Sequence, residues 1–258
     1  MQAEAILAAL KIAQQQALKS GATCIPEKTP LQECGLDNVD CPICHNTGCI
    51  VTKAPDGTLK AAKCACMEKR VSIRRLERSG LKDAVIRYTM QNYVADTPER
   101  KKVLQAAKDF CKADTGWFFI SGKSGSGKTH ICTAICGRLM DMNKNVRYML
   151  WRDETVLLKA LTTDGEEYQR QIRPFKLTPV LYVDDFLKGG HTEADLRLAF
   201  EILNSRYNDS SLRTIISSEL SLFDILGLDE AVGGRIYERS RGYVLEAPRE
   251  NWRLKHDE

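Results

Sequence analysis

No apolar run in this chain is long enough to cross a bilayer, which takes about 20 residues. The opening Met1-Gln2-Ala3-Glu4-Ala5-Ile6-Leu7-Ala8-Ala9-Leu10-Lys11 has an early acid, no basic start and an apolar stretch cut by Lys11, unlike a secretory leader. Membrane-spanning and secreted classes are set aside, and a cytoplasmic location without membrane attachment is expected. Charge of one sign is also scarce. Thirty-eight Lys and Arg against 34 Asp and Glu leave a formal net charge of +4, so whole-chain electrostatics do not announce a nucleic-acid binder and local clusters must carry any such role. No internal repeat or low-complexity tract is present, which excludes repeat architectures.

What the chain does have is 258 residues, 43% apolar and 28% charged, enough for one domain of ordinary size and a smaller appendage. It also has ten cysteines, seven of them before Lys69. A secreted disulfide framework would separate the chain from cytosolic nucleotide, which the motif described next requires. Reduced thiols, some of them holding metal, fit better.

Trp117-Phe118-Phe119-Ile120 is a short apolar strand-like run, and Gly122-Lys123-Ser124-Gly125-Ser126-Gly127-Lys128-Thr129 follows it directly. This is the G-x-x-x-x-G-K-T phosphate loop. Its glycines let backbone N–H groups turn around the α- and β-phosphates of ATP, Lys128 reaches the β/γ oxygens, and the Thr129 hydroxyl ligates Mg²⁺. Ile131, Ala134, Ile135, Leu139 and Met142 then recur at helical spacing, so a helix N-terminus points its positive dipole end at the anion. His130 sits beside the loop and is included among the candidate ATP-binding residues. Cys132 and Cys136, four apart, are expected in the core of this helix.

Ahead of this motif, Cys41-Pro42-Ile43-Cys44 and Cys64-Ala65-Cys66 flank a hairpin whose turn is Pro55-Asp56-Gly57. Folding back at Asp56-Gly57 brings the two thiol pairs together, and four thiolates make a tetrahedral Zn²⁺ site. His45, Cys49 and Cys34 are substitute ligands if the second pair supplies only one. Residues 3–19 read as a short amphipathic helix, and residues 67–80 as a basic helix ending at Gly80. Residues 83–98 read as a connection, with Thr97-Pro98-Glu99 starting the next helix. The expected organisation is therefore a 1–82 module, an 83–99 linker and a 100–258 domain.

Beyond residue 100, strand-like runs at 117–121, 146–150, 179–184, 213–217 and 243–246 alternate with helical stretches at 129–142, 153–161, 165–173, 192–207, 221–226 and 230–240. Such alternation predicts a parallel five-stranded α/β sheet with helices on both faces. Val180-Leu181-Tyr182-Val183 is continuous and apolar, ending in Asp184-Asp185 at the carboxyl end, where such sheets bind ligands. Asp184 is expected to hold Mg²⁺ and Asp185 to orient or deprotonate the attacking water.

The order of these motifs, followed by Arg213-Thr214-Ile215-Ile216-Ser217-Ser218-Glu219 and Gly234-Arg235-Ile236-Tyr237-Glu238-Arg239, resembles the AAA+ ATPases of the DnaC/DnaI-type replicative-helicase loaders. The leading cysteine pairs are similar to the zinc-binding module of the DnaI-like branch and its phage relatives. The resemblance covers roughly residues 40 to 254. It implies a hexameric replicative DNA helicase and single-stranded DNA as partners, self-association through the AAA+ domain, and slow, assembly-dependent ATP hydrolysis without a helical lid domain. It also places the first sensor on Ser217 or Ser218, a trans-acting arginine finger on Arg235 or Arg239, and a second sensor on Arg253. Glu219 departs from the Asn or Gln common in relatives, since a carboxylate beside a phosphate repels it unless a cation intervenes. An IstB-type transposition ATPase and a nucleotide-gated adaptor with little hydrolysis are the alternatives.

Overall fold

The structure, a computed structural model, describes residues 41–53, 58–78, 82–189, 191–248, 250 and 252. The helix expected over 3–19, Cys34, the Asp56-Gly57 turn, Gly80 and Arg253 lie outside the described residues. The chain divides into two compact units between Val71 and Ser72.

In the first unit, β1 (Cys49–Lys53) pairs antiparallel with β2 (Leu59–Lys63), from Cys49 opposite Lys63 to Lys53 opposite Leu59. The preceding turn passes through His45 (φ 46°) and Asn46 (φ 69°), a left-handed step that short polar residues tolerate. Asn46 Oδ1 accepts from Cys41 N–H at 3.0 Å and from Arg70 Nη2 at 2.6 Å, tying this turn to α1 (Cys66–Arg78).

The second unit is a five-stranded sheet: β3 (Trp117–Ser121), β4 (Val146–Leu150), β5 (Val180–Phe186), β6 (Arg213–Ser218) and β7 (Val244–Glu246). Strand order is β4-β5-β6-β3-β7, and every neighbouring pair is parallel. Because successive side chains point to opposite faces, each apolar strand feeds two cores. Phe118, Ile120, Val180, Tyr182 and Ile215 pack with residues of α3 (Pro98–Lys112) and α4 (Lys128–Asp141). Trp117, Phe119, Leu181, Val183 and Ile216 pack with residues of the remaining helices. These are α5 (Trp151–Ala160), α6 (Gly165–Leu177), α7 (Glu193–Tyr207), α8 (Leu222–Leu228) and α9 (Glu230–Arg239). Cys132 and Cys136 lie fully inside α4's buried face.

Helix boundaries follow local chemistry. Thr97 caps α3 by accepting from Arg100 N–H, with Pro98 at the first helical position, as its sequence predicts. Thr192 with Asp195, and Ser221 with Asp224, form reciprocal capping boxes at α7 and α8. α6 is longer than expected and runs through Pro174 to Leu177. Pro174 lacks an N–H to continue the ladder, but its carbonyl accepts from both Thr178 N–H (3.2 Å) and Thr178 Oγ1 (2.6 Å), which closes the helix one turn later.

Residues 83–99, read as a connection, are built into this second unit. They carry α2 (Lys82–Arg87) and the segment to Tyr93, and Val85, Met90 and Tyr93 pack on the core. Among the described residues no helix is long and apolar enough to cross a membrane.

Candidate functional site

β3 delivers the chain into the phosphate loop at its carboxyl end. Gly122 (φ 146°) is forced by its surroundings: an added Cβ would sit 3.0 Å from Ala247 Cβ. Gly127 (φ 90°) then turns the chain into α4. No side chain caps that helix start, which suits phosphate oxygens as acceptors for its first N–H groups. Lys128 is buried and donates to the carbonyls of Gly122 (2.6 Å) and Lys123 (2.9 Å). Burial lowers its pKa, opposed by the carboxylates of Glu219, Asp185 and Asp184. Ser126 Oγ is buried without a hydrogen-bond partner among the described residues and lines the cleft, an orphaned hydroxyl that a phosphate oxygen fits.

Asp184 is a hub at the end of β5. Its Oδ1 accepts from Asp185 N–H at 3.1 Å and from Ser217 Oγ, and lies 3.5 Å from the donor Thr129 Oγ1; its Oδ2 accepts from the Tyr148 Oη hydroxyl at 3.1 Å. Burial and the Asp184 charge push the Tyr148 phenol well above its ordinary pKa, so it stays a donor. The Thr129–Asp184 pair offers hard oxygen ligands side by side, the donor set suited to Mg²⁺. Tyr148 was not singled out in the sequence, although β4 neighbours β5 with Tyr148 opposite Tyr182.

Asp185 follows at a bulge. β5 spends three residues from Val183 to Phe186 where β6 spends two from Ile216 to Ser218, and Asp185 takes φ 53°. Asp185 N–H also donates to Ser217 Oγ at 3.1 Å, which holds this strained step in place. Leu187 (φ 58°) continues the turn, and Lys188 N–H closes it on Asp185 O at 3.0 Å. Lys188 Nζ then bridges Asp185 Oδ2 and Glu219 Oε1, each at 3.0 Å. A lysine thus supplies the cation that Glu219 needs beside a phosphate.

The two serines expected as sensors are both committed inside the fold. Ser218 is fully buried, donates to Phe186 O at 2.8 Å and accepts from Leu220 N–H at 3.1 Å, so it turns away from the cleft. Ser217 donates to Asp184 and acts through that carboxylate.

His130 faces the 88–93 segment rather than the sheet or the loop's phosphate side. Its Nε2 lies 3.0 Å from Thr89 O and 3.1 Å from Asn92 Oδ1, and its ring packs on Tyr88 and edge-on to Tyr93. Burial lowers its pKa, against the Thr89 carbonyl. Tyr88, Tyr93 and Trp252 line the same cleft as Ser124 to Thr129 and give it an aromatic wall. Trp252 N–H donates to Gly125 O at 2.9 Å, and its ring lies over the Arg100 guanidinium at 4.6 Å.

Arg235 and Arg239 share a face of α9 but have different partners. Arg235 donates to Asn204 Oδ1 (3.0 Å) and Ala231 O (2.8 Å) with its guanidinium over Phe200. Arg239 reaches Ser210 O at 3.1 Å and Asp209 O at 3.4 Å, near Trp117 at the start of β3. Both therefore sit away from the phosphate loop of their own chain.

In the first unit the Sγ atoms of Cys41, Cys44, Cys64 and Cys66 lie within 4.8 Å of one another. The separations Cys41–Cys64 (3.8 Å) and Cys44–Cys66 (3.5 Å) match the roughly 3.8 Å edge of a tetrahedron with Zn–S near 2.3 Å. Gly48 N–H donates to Cys44 Sγ at 3.3 Å. Burial pushes the Cys44 thiol up, but that N–H and the neighbouring thiols outweigh it and bring the pKa to about 7, while burial raises Cys64. The set fits zinc. His45 and Cys49 lie outside this group of four.

The parallel sheet with its phosphate loop and paired-carboxylate strand end lies within residues 65–256, which match the family model of the IstB-like ATP binding protein. The chain belongs to that family. This IstB-like chain is 27% identical over 209 residues to the uncharacterized protein YqaM of Bacillus subtilis, covering 75% of this chain and 66% of that protein, slightly under two thirds. It is 25% identical to the phage-like element PBSX protein XkdC of the same organism, covering 87% and 88%. It is 26% identical to the replicative helicase loader DnaC of Buchnera aphidicola subsp. Schizaphis graminum, covering 65% and 69%. Among solved structures, a DnaC helicase loader superposes with TM-score 0.53 at 19% identity, covering 65% of this chain and 98% of that one, and DnaI with 0.52 at 20%, covering 65% and 92%. At those identities the likeness shows the fold alone, a parallel α/β P-loop core.

Proposed function

We propose that this IstB-like chain is an ATP-dependent loader of the hexameric replicative DNA helicase, acting in the cytoplasm on single-stranded DNA at replication initiation. The observation that carries the proposal is the union in one chain of a four-thiol hairpin with a P-loop core. Similarity to a DnaC loader and to a phage-like element protein supports it.

In this reading the loop from Gly122 to Thr129 and Lys128 bind the triphosphate, Thr129 and Asp184 hold Mg²⁺, and Asp185 orients the attacking water. Bound Mg²⁺ supplies positive charge to the phosphate oxygens. Cys41, Cys44, Cys64 and Cys66 hold a structural Zn²⁺ that shapes the helicase-gripping module within residues 1–82. The AAA+ domain self-associates so that α9 meets a neighbour's phosphate loop, where an arginine finger contributes about 10³ to 10⁵ in rate. Arg239 is the better finger, since its longer bonds release more readily than those of Arg235. Arg253 remains the proposed second sensor.

The test is assembly of the host helicase on circular single-stranded DNA. Wild type should promote it with ATP, and Lys128→Ala should lose both ATPase activity and loading by about 100-fold, an effect typical of removing one transition-state donor. No association with helicase would sink the loader reading.

The matched family model itself favours a second reading, a transposition ATPase of the IstB type. Pull-down with transposase rather than helicase would decide for it. Steady-state ATPase equal in wild type, Lys128→Ala and Asp185→Ala would leave a nucleotide-gated adaptor.

A further inference from the structure

At the end of the cleft near Lys128, two lysines face three carboxylates: Lys128 and Lys188 against Asp184, Asp185 and Glu219. Lys188, Asp185 and Glu219 line the cleft together with the phosphate loop. A triphosphate would bring further negative charge toward Glu219, and like charges a few Å apart repel strongly. The structure already holds a cation at that point. Lys188 Nζ is 3.0 Å from both Asp185 Oδ2 and Glu219 Oε1, and an ammonium has three N–H donors, so one is left for a third acceptor.

Its backbone is fixed while its head stays reachable. Phe186 and Leu187 are buried on the chain just before it, and the Lys188 N–H closes the turn on Asp185 O. The Lys188 side chain is 38% exposed. Arg100, which also lines the cleft, is committed to Asp96 and Glu250 and lies under Trp252.

We infer that Lys188 is a cis contact for the γ-phosphate of bound ATP, held out to it by Asp185 and Glu219, so that the site tells a nucleoside triphosphate from a diphosphate. This rests on the nucleotide reading of the same cleft. Glu219 is then a positioning residue that presents a lysine. Lys188 stands three residues beyond Asp185 and 31 before Glu219, so no local motif announces it.

The experiment is calorimetric titration of the full chain with Mg²⁺ and either ADP or a non-hydrolysable ATP analogue, with a thermal melt showing that each variant is folded. Lys188→Ala should weaken the analogue about 10- to 100-fold, the scale of one lost charge-assisted hydrogen bond, and change ADP affinity less than about threefold. Lys188→Arg should restore most of the discrimination. Glu219→Gln should shift the ratio in the same direction by less, and add nothing on top of Lys188→Ala. Equal weakening of both nucleotides, no change in either, or additive effects of the two substitutions overturns the assignment. If Lys128→Ala abolishes binding of both nucleotides while Lys188→Ala leaves their ratio unchanged, the Lys188 contact fails and the nucleotide site stands. If wild type binds neither nucleotide, both fall.

Discussion

The thiol hairpin and the α/β core differ sharply in how much apolar surface they bury. In the hairpin, β2 is exposed at every position, and the buried cluster consists of Cys41, Cys44 and Cys64 with Ile43, Ile50 and Cys66 packed against it. In the core, β3 is buried at every position and feeds an apolar cluster on each face of the sheet. A segment with so little apolar surface to bury cannot offset its chain entropy by packing alone. The proposed zinc coordination would hold the hairpin, whereas hydrophobic burial holds the core and leaves its polar groups free to be arranged at strand ends.

The largest expected effect breaks the hairpin and spares the core. Removing zinc with a chelator, or Cys64→Ser, should abolish the fold of residues 41–71, because structural zinc in small modules supplies about 10–16 kcal/mol of binding energy. The measurement is amide chemical-shift dispersion or protease sensitivity across β1 and β2, alongside the calorimetric melting transition of the core. Loss of the hairpin signals with an unchanged core transition supports the contrast, while unfolding of both units together defeats it. Binding requires thiolates and releases protons, so apparent zinc affinity should fall as pH is lowered.

The difference in cohesion also governs what could be read in advance. Continuous apolar runs such as Val180–Val183 and Trp117–Ile120 marked the core strands because burial on both faces demands them, and five strands fell within two residues of their expected limits. The phosphate loop and the two thiol pairs were legible because backbone turning and metal ligation require particular residues at fixed spacing. Four features were not. Tyr148 and Lys188 act through contacts made by the fold, across neighbouring strands or across the cleft. Ser218, legible as a polar residue at a strand end, is turned inward by the pairing of Phe186 with it at the β5 bulge. α6 ran past Pro174 because Thr178 satisfies the last turn, a compensation that a helix-breaking rule does not register.

The next prediction breaks the core and spares the hairpin. Arg206 is fully buried between α7 and the sheet, donating to Thr214 Oγ1 (2.9 Å), Phe175 O (3.0 Å), Thr178 O (2.8 Å) and Arg213 O (2.6 Å). It gathers the end of α6 and the start of β6 around one guanidinium. Arg206→Ala should destabilise the core by about 3–5 kcal/mol, since it strands several buried carbonyls as well as opening a cavity. Arg206→Lys should recover only part, because an ammonium cannot match the planar fork. Denaturant melts of the core, with metal content measured in the same samples, check this. A loss below about 1 kcal/mol would show that apolar packing alone suffices and would sharpen the contrast with the hairpin.

The smallest effect tests how the core positions polar groups once packing has fixed its strands. Tyr148 Oη gives Asp184 Oδ2 one hydrogen bond from the neighbouring strand, and Phe keeps the ring against Tyr182 while deleting that donor. Stability should change little, because the loss of one donor is softened by the other donors to Asp184. Its carboxylate would instead be freer to rotate away from Thr129. Tyr148→Phe should therefore raise the Mg²⁺ concentration needed for half-maximal nucleotide binding about fivefold, the equivalent of about 1 kcal/mol, with binding of metal-free nucleotide unchanged. A Mg²⁺ titration at fixed nucleotide separates the two. An equal loss with and without Mg²⁺ would mean that Tyr148 supports the cleft as packing only, and that Asp184 is held for catalysis by Ser217 and the Asp185 backbone without it.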